Sequence, residues 1–250
     1  MRSSHVLSAG EVHVWEGSLD QPPEVVGRLR QLLSEDERAR AGRFRFEPHR
    51  SRYVAGRGQL RSLLGRYLGT PPRELRFEYG EFEKPALAGS DVHFNLAHSG
   101  EVVLFAITRL GEVGIDVELI DARPRDDERL ADRFFSPTEV ATLRSLPNTD
   151  RSRAFLRCWT RKEAFLKARG DGLRLALDTF DVSLAPGQPV ALMRTEWSRT
   201  EPTEWSLSDL SDERAGYVAA LAIRTAAPPV IQRRKLTPAD DRTLTRQEDR

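Results

Sequence analysis

The feature that most constrains this chain is internal similarity. Residues His49–Gly69 (HRSRYVAGRGQLRSLLGRYLG) lie over Asp150–Gly170 (DRSRAFLRCWTRKEAFLKARG) without a gap, sharing Arg-Ser-Arg, several apolar positions and the final glycine. The patterns around each copy also follow one order. Val12 and Val14 alternate with polar neighbours before Trp15, as a short strand does. Helical periodicity then runs from about Val25 to Leu68, broken near Phe46–His49, and strand patterns follow at Leu75–Tyr79, Val92–Leu96 and Val102–Thr108. The second copy opens with Val113, Ile115, Val117 and Leu119 and passes through a helix over Arg151–Arg169. Strand patterns follow near Phe180–Leu184, Val190–Trp197, Glu204–Leu207 and Tyr217–Ile223. Ser34 with Glu37, and Ser136 with Pro137 and Glu139, are capping boxes that start helices at matching places. One plan used twice predicts an α+β fold of two similar lobes related by a pseudo-twofold, each a small antiparallel sheet packed with helices, with a cleft between them. The lobes are expected over residues 1–111 and 112–225. From Ala226 to Arg250 the chain is polar and charged without an aromatic residue, a composition that predicts a flexible tail.

With 250 residues, 39% hydrophobic, the chain can bury such a double core, and with 39 basic against 38 acidic residues it carries no global field for nucleic acid or membrane. No stretch approaches the ~20 apolar residues of a membrane helix, and Glu11 and His13 interrupt the N-terminus where a signal peptide needs an apolar core. A single cysteine, Cys158, allows no disulfide within the chain and suits a reducing compartment, the cytoplasm by default. Only Lys84, Lys162, Lys167 and Lys235 of the 39 basic residues are lysine, so the positions where lysine persists carry information.

Three segments have chemical potential. In the strand Val113–Leu119 the apolar residues share one face, which puts Asp116 and Glu118 on the other, about 7 Å apart. Such a pair is either a solvated face or part of a Mg²⁺ site that waters and phosphate oxygens complete. Along the second long helix, Lys162 and Glu163 fall inside the apolar stripe of Phe155, Cys158, Trp159, Phe165 and Leu166. A charge there needs a metal, an anion or an ion pair, and Glu163 with Lys167 at i, i+4 is the simple alternative. Third, Phe94–Gly100 (FNLAHSG) ends a strand in a polar turn where the His98 imidazole and the Ser99 hydroxyl can meet a phosphate oxygen or merely solvent. Arginines between Arg38 and Arg57, Arg40 among them, make either a phosphate-binding or a solvated face.

Taken in order, FNLAHSG, GIDVE, FFSPTEV and WTRKEAFLKARGDGL closely resemble the successive motifs of the Sfp-type 4′-phosphopantetheinyl transferases. The resemblance implies that family's two-lobed fold. It also implies transfer of the phosphopantetheine arm of coenzyme A to a serine of an apo acyl, peptidyl or polyketide carrier protein, dependent on Mg²⁺, with release of adenosine 3′,5′-bisphosphate. By resemblance Asp116, Glu118 and Glu163 are the metal carboxylates, Lys162, Glu163 and Lys167 the catalytic K-E-x-x-x-K set at the pyrophosphate, and His98 the contact to the 3′-phosphate. Asn95, Lys84 and Arg40 match further coenzyme-binding positions, and Glu163, directly or through a water, is the expected base. Ala97 stands where the family commonly has serine and Glu83 where it often has glycine, departures that bear on single coenzyme contacts. A carrier is expected to dock near the helix starting at Ser136 or around Arg123–Arg133. A monomer is expected, because both lobes lie in one chain. The other readings of these residues are a Mg²⁺-dependent phosphohydrolase and a basic nucleic-acid-binding module.

Overall fold

The computed structural model describes residues 6–80, 84–120, 126–170, 174–225 and 227–237. Glu83, Ala226 and residues 123–125, which entered the expectations above, lie outside them, as do residues 238–250. The first lobe runs β1 (Glu11–Ser18), α1 (Pro23–Gln31), α2 (Glu35–Gly42), α3 (Glu47–Leu68), β2 (Phe77–Tyr79), β3 (Pro85–Leu87), β4 (His93–Ser99) and β5 (Val102–Thr108). The second repeats it: β6 (Val113–Leu119), α4 (Asp127–Phe134), α5 (Pro137–Ser145), α6 (Asn148–Arg169), β7 (Phe180–Val182), β8 (Leu192–Thr195), β9 (Trp205–Asp209) and β10 (Tyr217–Arg224). Strand order is β1-β5-β4 in one sheet and β6-β10-β9 in the other, so corresponding strands hold corresponding places. The aligned helices α3 and α6 are both 22 residues long and both end on a left-handed glycine, Gly69 at φ 64° and Gly170 at φ 83°. That backbone region disfavours a Cβ, which is why glycine closes both copies.

Each lobe has its own core. Leu29, Leu33, Leu60, Leu63, Leu64 and Phe105 pack in the first, and Phe155, Phe165, Phe180 and Leu166 in the second. A third core joins them: Val12, Val14, Ala97, Leu104 and Ala106 of the first sheet meet Ile115, Val117, Leu221 and Ile223 of the second. Ala97 therefore faces the other lobe, on the side of β4 opposite His98, so its departure from serine takes no hydroxyl from beside that histidine.

The capping boxes hold the helices from inside. Glu37 accepts from Ser34 N at 3.1 Å and pairs with Arg57 at 2.8 Å and Arg61 at 2.5 Å. Glu139 accepts from Ser136 N at 2.9 Å and from Val182 N at 2.8 Å, and pairs with Lys162 at 2.8 Å.

The passive tail expected from Ala226 does not hold for Val230–Lys235. These residues form β11, hydrogen-bonded in parallel to β1 at the edge of the first sheet. Its side chains are largely exposed, so no apolar alternation marks it; the stabilisation comes from backbone pairing and from contacts at its ends. Leu236 N donates to Glu16 O at 2.8 Å, and Arg233 Nη2 donates to the Tyr217 hydroxyl, which in turn donates to Glu16. The chain leaves the second lobe at β10 and returns to clasp the first. No helix among the described residues is long and apolar enough to cross a membrane.

Candidate active site

The site lies where α6 crosses β6. Gly114 makes the crossing possible: a Cβ there would come within 2.0 Å of Ala164 O and 2.3 Å of Ala168 N. Because the helix rests directly on this glycine, Glu163 and Lys167, which flank the contact, sit over the outer face of β6. Asp116, on that face, is only 6% exposed. The polar strand face read from sequence is thus roofed by a helix.

Asp116 Oδ1 accepts from Lys167 Nζ at 2.6 Å, while its Oδ2 is buried with no hydrogen-bond partner. Burial pushes the Asp116 carboxyl up to about 7; Lys167 opposes the rise and the negative charges of Glu163 and Glu118 add to it. Glu163 is raised as well, chiefly by burial and further by Glu118, against Lys167. Glu118 accepts from Ser99 Oγ at 2.8 Å. His98, exposed at the end of β4, is lowered by desolvation first and then by the charges of Lys167 and Arg52. Asp116, Glu118, Glu163, Lys167 and His98 therefore belong to one electrostatic neighbourhood, with Arg52 at its edge.

The remaining expected site residues lie elsewhere. Lys162 is a correction: its side chain is wholly buried, its ammonium bonds Leu177 O at 2.6 Å and Phe180 O at 2.5 Å besides Glu139, and it lies 4.3 Å from the centre of the Phe180 ring. Successive helix positions differ by about 100°, so Lys162 turns into the second core while Glu163 faces β6. Asn95 is a second correction, since its Oδ1 accepts from Ile115 N at 2.9 Å and its side chain is buried between β4 and β6. Lys84 binds the C-terminal end of α6, donating to Ala168 O at 3.1 Å and pairing with Glu112 at 2.5 Å. Arg40 is exposed on α2, over the Tyr53 ring at 5.8 Å. The Ser99 hydroxyl, read from sequence as a contact for phosphate, instead donates to Glu118 and accepts from Leu119 N at 3.2 Å, and Gly114, inside the GIDVE motif, has no role in that reading.

Among the described residues no three His, Cys, Asp or Glu side chains converge into a complete metal cluster. What they provide is a buried acid with one oxygen on an ammonium and one orphaned, flanked by two more carboxylates. That donor set suits a hard cation whose remaining ligands come from water and phosphate.

The comparisons with known proteins agree in both lobes. Residues 112–222 match the family described as the 4′-phosphopantetheinyl transferase superfamily, and residues 20–109 match the family described as 4′-phosphopantetheinyl transferase, N-terminal. The chain is 44% identical over 222 residues to 4′-phosphopantetheinyl transferase HetI of Nostoc sp., covering 87% of this chain and 89% of that one. It is 30% identical over 224 residues to a phosphopantetheinyl transferase of Thraustochytrium sp., covering 83% and 77% of the two chains. Against 4′-phosphopantetheinyl transferase Sfp of Bacillus subtilis it is 34% identical over 158 residues, covering 63% and 69%. With matches to both halves of one enzyme family and a relative similar over nearly its whole length, the chain belongs to the 4′-phosphopantetheinyl transferase superfamily and is an enzyme that transfers phosphopantetheine to carrier proteins.

Proposed function

We propose that Asp116, Glu118, Glu163 and Lys167, together with His98, bind coenzyme A and Mg²⁺ and direct the transfer of the phosphopantetheine arm to a carrier serine. The observation that carries this assignment is the state of Asp116, buried with Oδ2 unpartnered, Oδ1 on Lys167, and two further carboxylates acting on it. Crowded carboxylates in a low dielectric lack positive charge, and Asp116, Glu118 and Glu163 would hold the cation that supplies it. When bound, Mg²⁺ neutralises charge developing on the pyrophosphate oxygens.

The chain's own groups do the rest. Lys167 donates to the pyrophosphate once Asp116 releases it, and His98 at the rim meets the 3′-phosphate. The carrier serine Oγ forms a bond to the β-phosphorus as the bond from that phosphorus to the bridging oxygen breaks, and adenosine 3′,5′-bisphosphate leaves. Glu163, directly or through a water, takes the serine proton. Lys162 takes no part in these steps and holds α6 to the second core. The site takes His98 from the first lobe and its carboxylates from the second, both in one chain, which supports action as a monomer, and the single cysteine, buried Cys158, is in keeping with a cytoplasmic enzyme.

The test is to incubate the enzyme with coenzyme A, Mg²⁺ and an apo carrier protein, following the carrier's intact mass and the nucleotide released. The expected result is one phosphopantetheine added per bisphosphate formed, with both stopped by chelation of the metal. Bisphosphate release without carrier, at the same rate, would instead identify a phosphohydrolase.

A further inference from the structure

The strand that carries the metal carboxylates is held by its neighbour in an unusual way. β4 and β6 lie side by side across the lobe boundary but belong to different sheets and share no ladder. Backbone N–H groups on such an edge still need acceptors. Two side chains of β4 provide them: Asn95 Oδ1 accepts from Ile115 N at 2.9 Å, and Ser99 Oγ accepts from Leu119 N at 3.2 Å. The two bridges bracket Asp116 and Glu118.

Ser99 does more than accept. A serine hydroxyl has one hydrogen to donate, and Ser99 spends it on Glu118 Oε2 at 2.8 Å. With the oxygen anchored by Leu119 N–H, the hydroxyl is aimed and Glu118 is drawn to a fixed place. The following turn packs closely on the same strand: Gly100 has φ 58°, and a Cβ there would fall 2.6 Å from Leu119 Cδ1. Ser99 also follows His98 directly, so one short turn ties the exposed histidine to the carboxylate on β6.

We infer that Ser99 is a positioning residue for the transfer reaction, holding Glu118 in the orientation in which it binds the divalent cation, while Asn95 fixes the other end of the same segment. Ser99 touches neither cation nor coenzyme; it acts through Glu118. The inference rests on the proposed role of Glu118 as a cation ligand.

The test uses the full chain saturated with coenzyme A and measures Mn²⁺ affinity from the electron paramagnetic resonance signal of the free ion. Ser99→Ala is expected to weaken Mn²⁺ binding about 10- to 100-fold, the usual effect of removing a hydrogen bond that orients a metal ligand. Ser99→Thr, which keeps the hydroxyl, restores the affinity, and coenzyme A binding measured in chelator stays at the wild-type value for both. In a Glu118→Ala background, adding Ser99→Ala has no further effect on Mn²⁺. Wild-type Mn²⁺ affinity in Ser99→Ala, with Asp116→Asn abolishing it in the same assay, overturns the inference and leaves the metal assignment standing. Wild-type affinity in Asp116→Asn as well removes the metal assignment itself and the inference with it. A fall in metal-free coenzyme affinity and melting temperature that Ser99→Thr does not rescue also overturns it, by making Ser99 a purely structural residue.

Discussion

Arg61 and Lys162 are counterparts: each lies fourteen residues into its 22-residue helix, each is buried, and each grips the capping-box glutamate of its own lobe, Glu37 at 2.5 Å and Glu139 at 2.8 Å. The residues that follow them differ. Ser62 comes after Arg61, whereas Glu163 comes after Lys162. The buried cation is therefore part of the packing plan that both lobes share, and the acid beside it is what the second lobe adds.

Lys162→Met is accordingly expected to act on stability. Taking one partner from a buried pair leaves Glu139 with its backbone donors but no opposing charge and costs about 3–5 kcal/mol, measurable by chemical denaturation. The fraction that remains folded should bind coenzyme A with wild-type affinity. A variant of wild-type stability that no longer binds the coenzyme would return Lys162 to the pyrophosphate.

Gly114→Ala tests the contact that builds the site. The added methyl meets the backbone of α6 at Ala164 and Ala168, and the helix has to lift from β6. A loss of about 1–3 kcal/mol, or about 2–12 °C in melting temperature, is expected, with transfer reduced further than stability because Glu163 and Lys167 move away from Asp116. Unchanged melting and unchanged rate would show that the strand and helix are not held in register by this glycine.

Much of this was legible in the sequence because the repeat copies local signals together with their tertiary consequences. The 22-residue helices, their terminal glycines and both capping boxes stand where pattern places them. Glu163 stands out in the sequence because a charge in an apolar stripe is conspicuous, and Asp116 because it shares a polar strand face with Glu118. Lys162 was misread for the reason that made Glu163 stand out, since periodicity puts a charged residue in a stripe without telling which partner it meets. The alignment held the corrective: Arg61 fills the equivalent position in the lobe that has Ser62 in place of Glu163, a sign of structural demand. Ser99 reads in the sequence as a hydroxyl open to a phosphate, because a serine in a polar turn looks the same whether it meets an anion or orients an acid. β11 was missed because an exposed edge strand needs backbone partners and little apolar pattern.

His13 gives the fold a dependence on pH. It is fully buried, its Nδ1 lies 2.6 Å from the Tyr67 hydroxyl, and burial first of all lowers its pKa against the pull of Glu11. The unfolded chain takes up a proton at this histidine below about pH 6.5 while the folded chain does not, so stability falls as pH drops through that value and levels off below the folded pKa. The slope from one such group is at most about 1.4 kcal/mol per pH unit. Denaturation of wild type and His13→Gln between pH 7.5 and 5 should show their difference in stability shrinking toward acid. A difference that grows toward acid would mean that His13 is protonated in the fold.

Deleting residues 226–250 removes β11 and should destabilise the protein, against the composition of the segment. The parallel ladder to β1 is lost, together with the Arg233 contact to Tyr217 and the docking of Leu236 beside Glu16. A fall of several degrees in melting temperature is expected, at about 2–4 °C per kcal/mol. An unchanged melting temperature would make the clasp dispensable.

The measurement that bears most directly on the account is the intact mass of an apo carrier protein after incubation with coenzyme A, Mg²⁺ and either wild-type enzyme or Asp116→Asn. Asparagine keeps the shape of the buried side chain and removes the charge that Lys167 and the cation share. The wild type should add one phosphopantetheine in a metal-dependent reaction, and Asp116→Asn, folded and melting normally, should leave the carrier unmodified. Carrier modified by Asp116→Asn at the wild-type rate would contradict the central claim that the carboxylates between β6 and α6 drive the transfer.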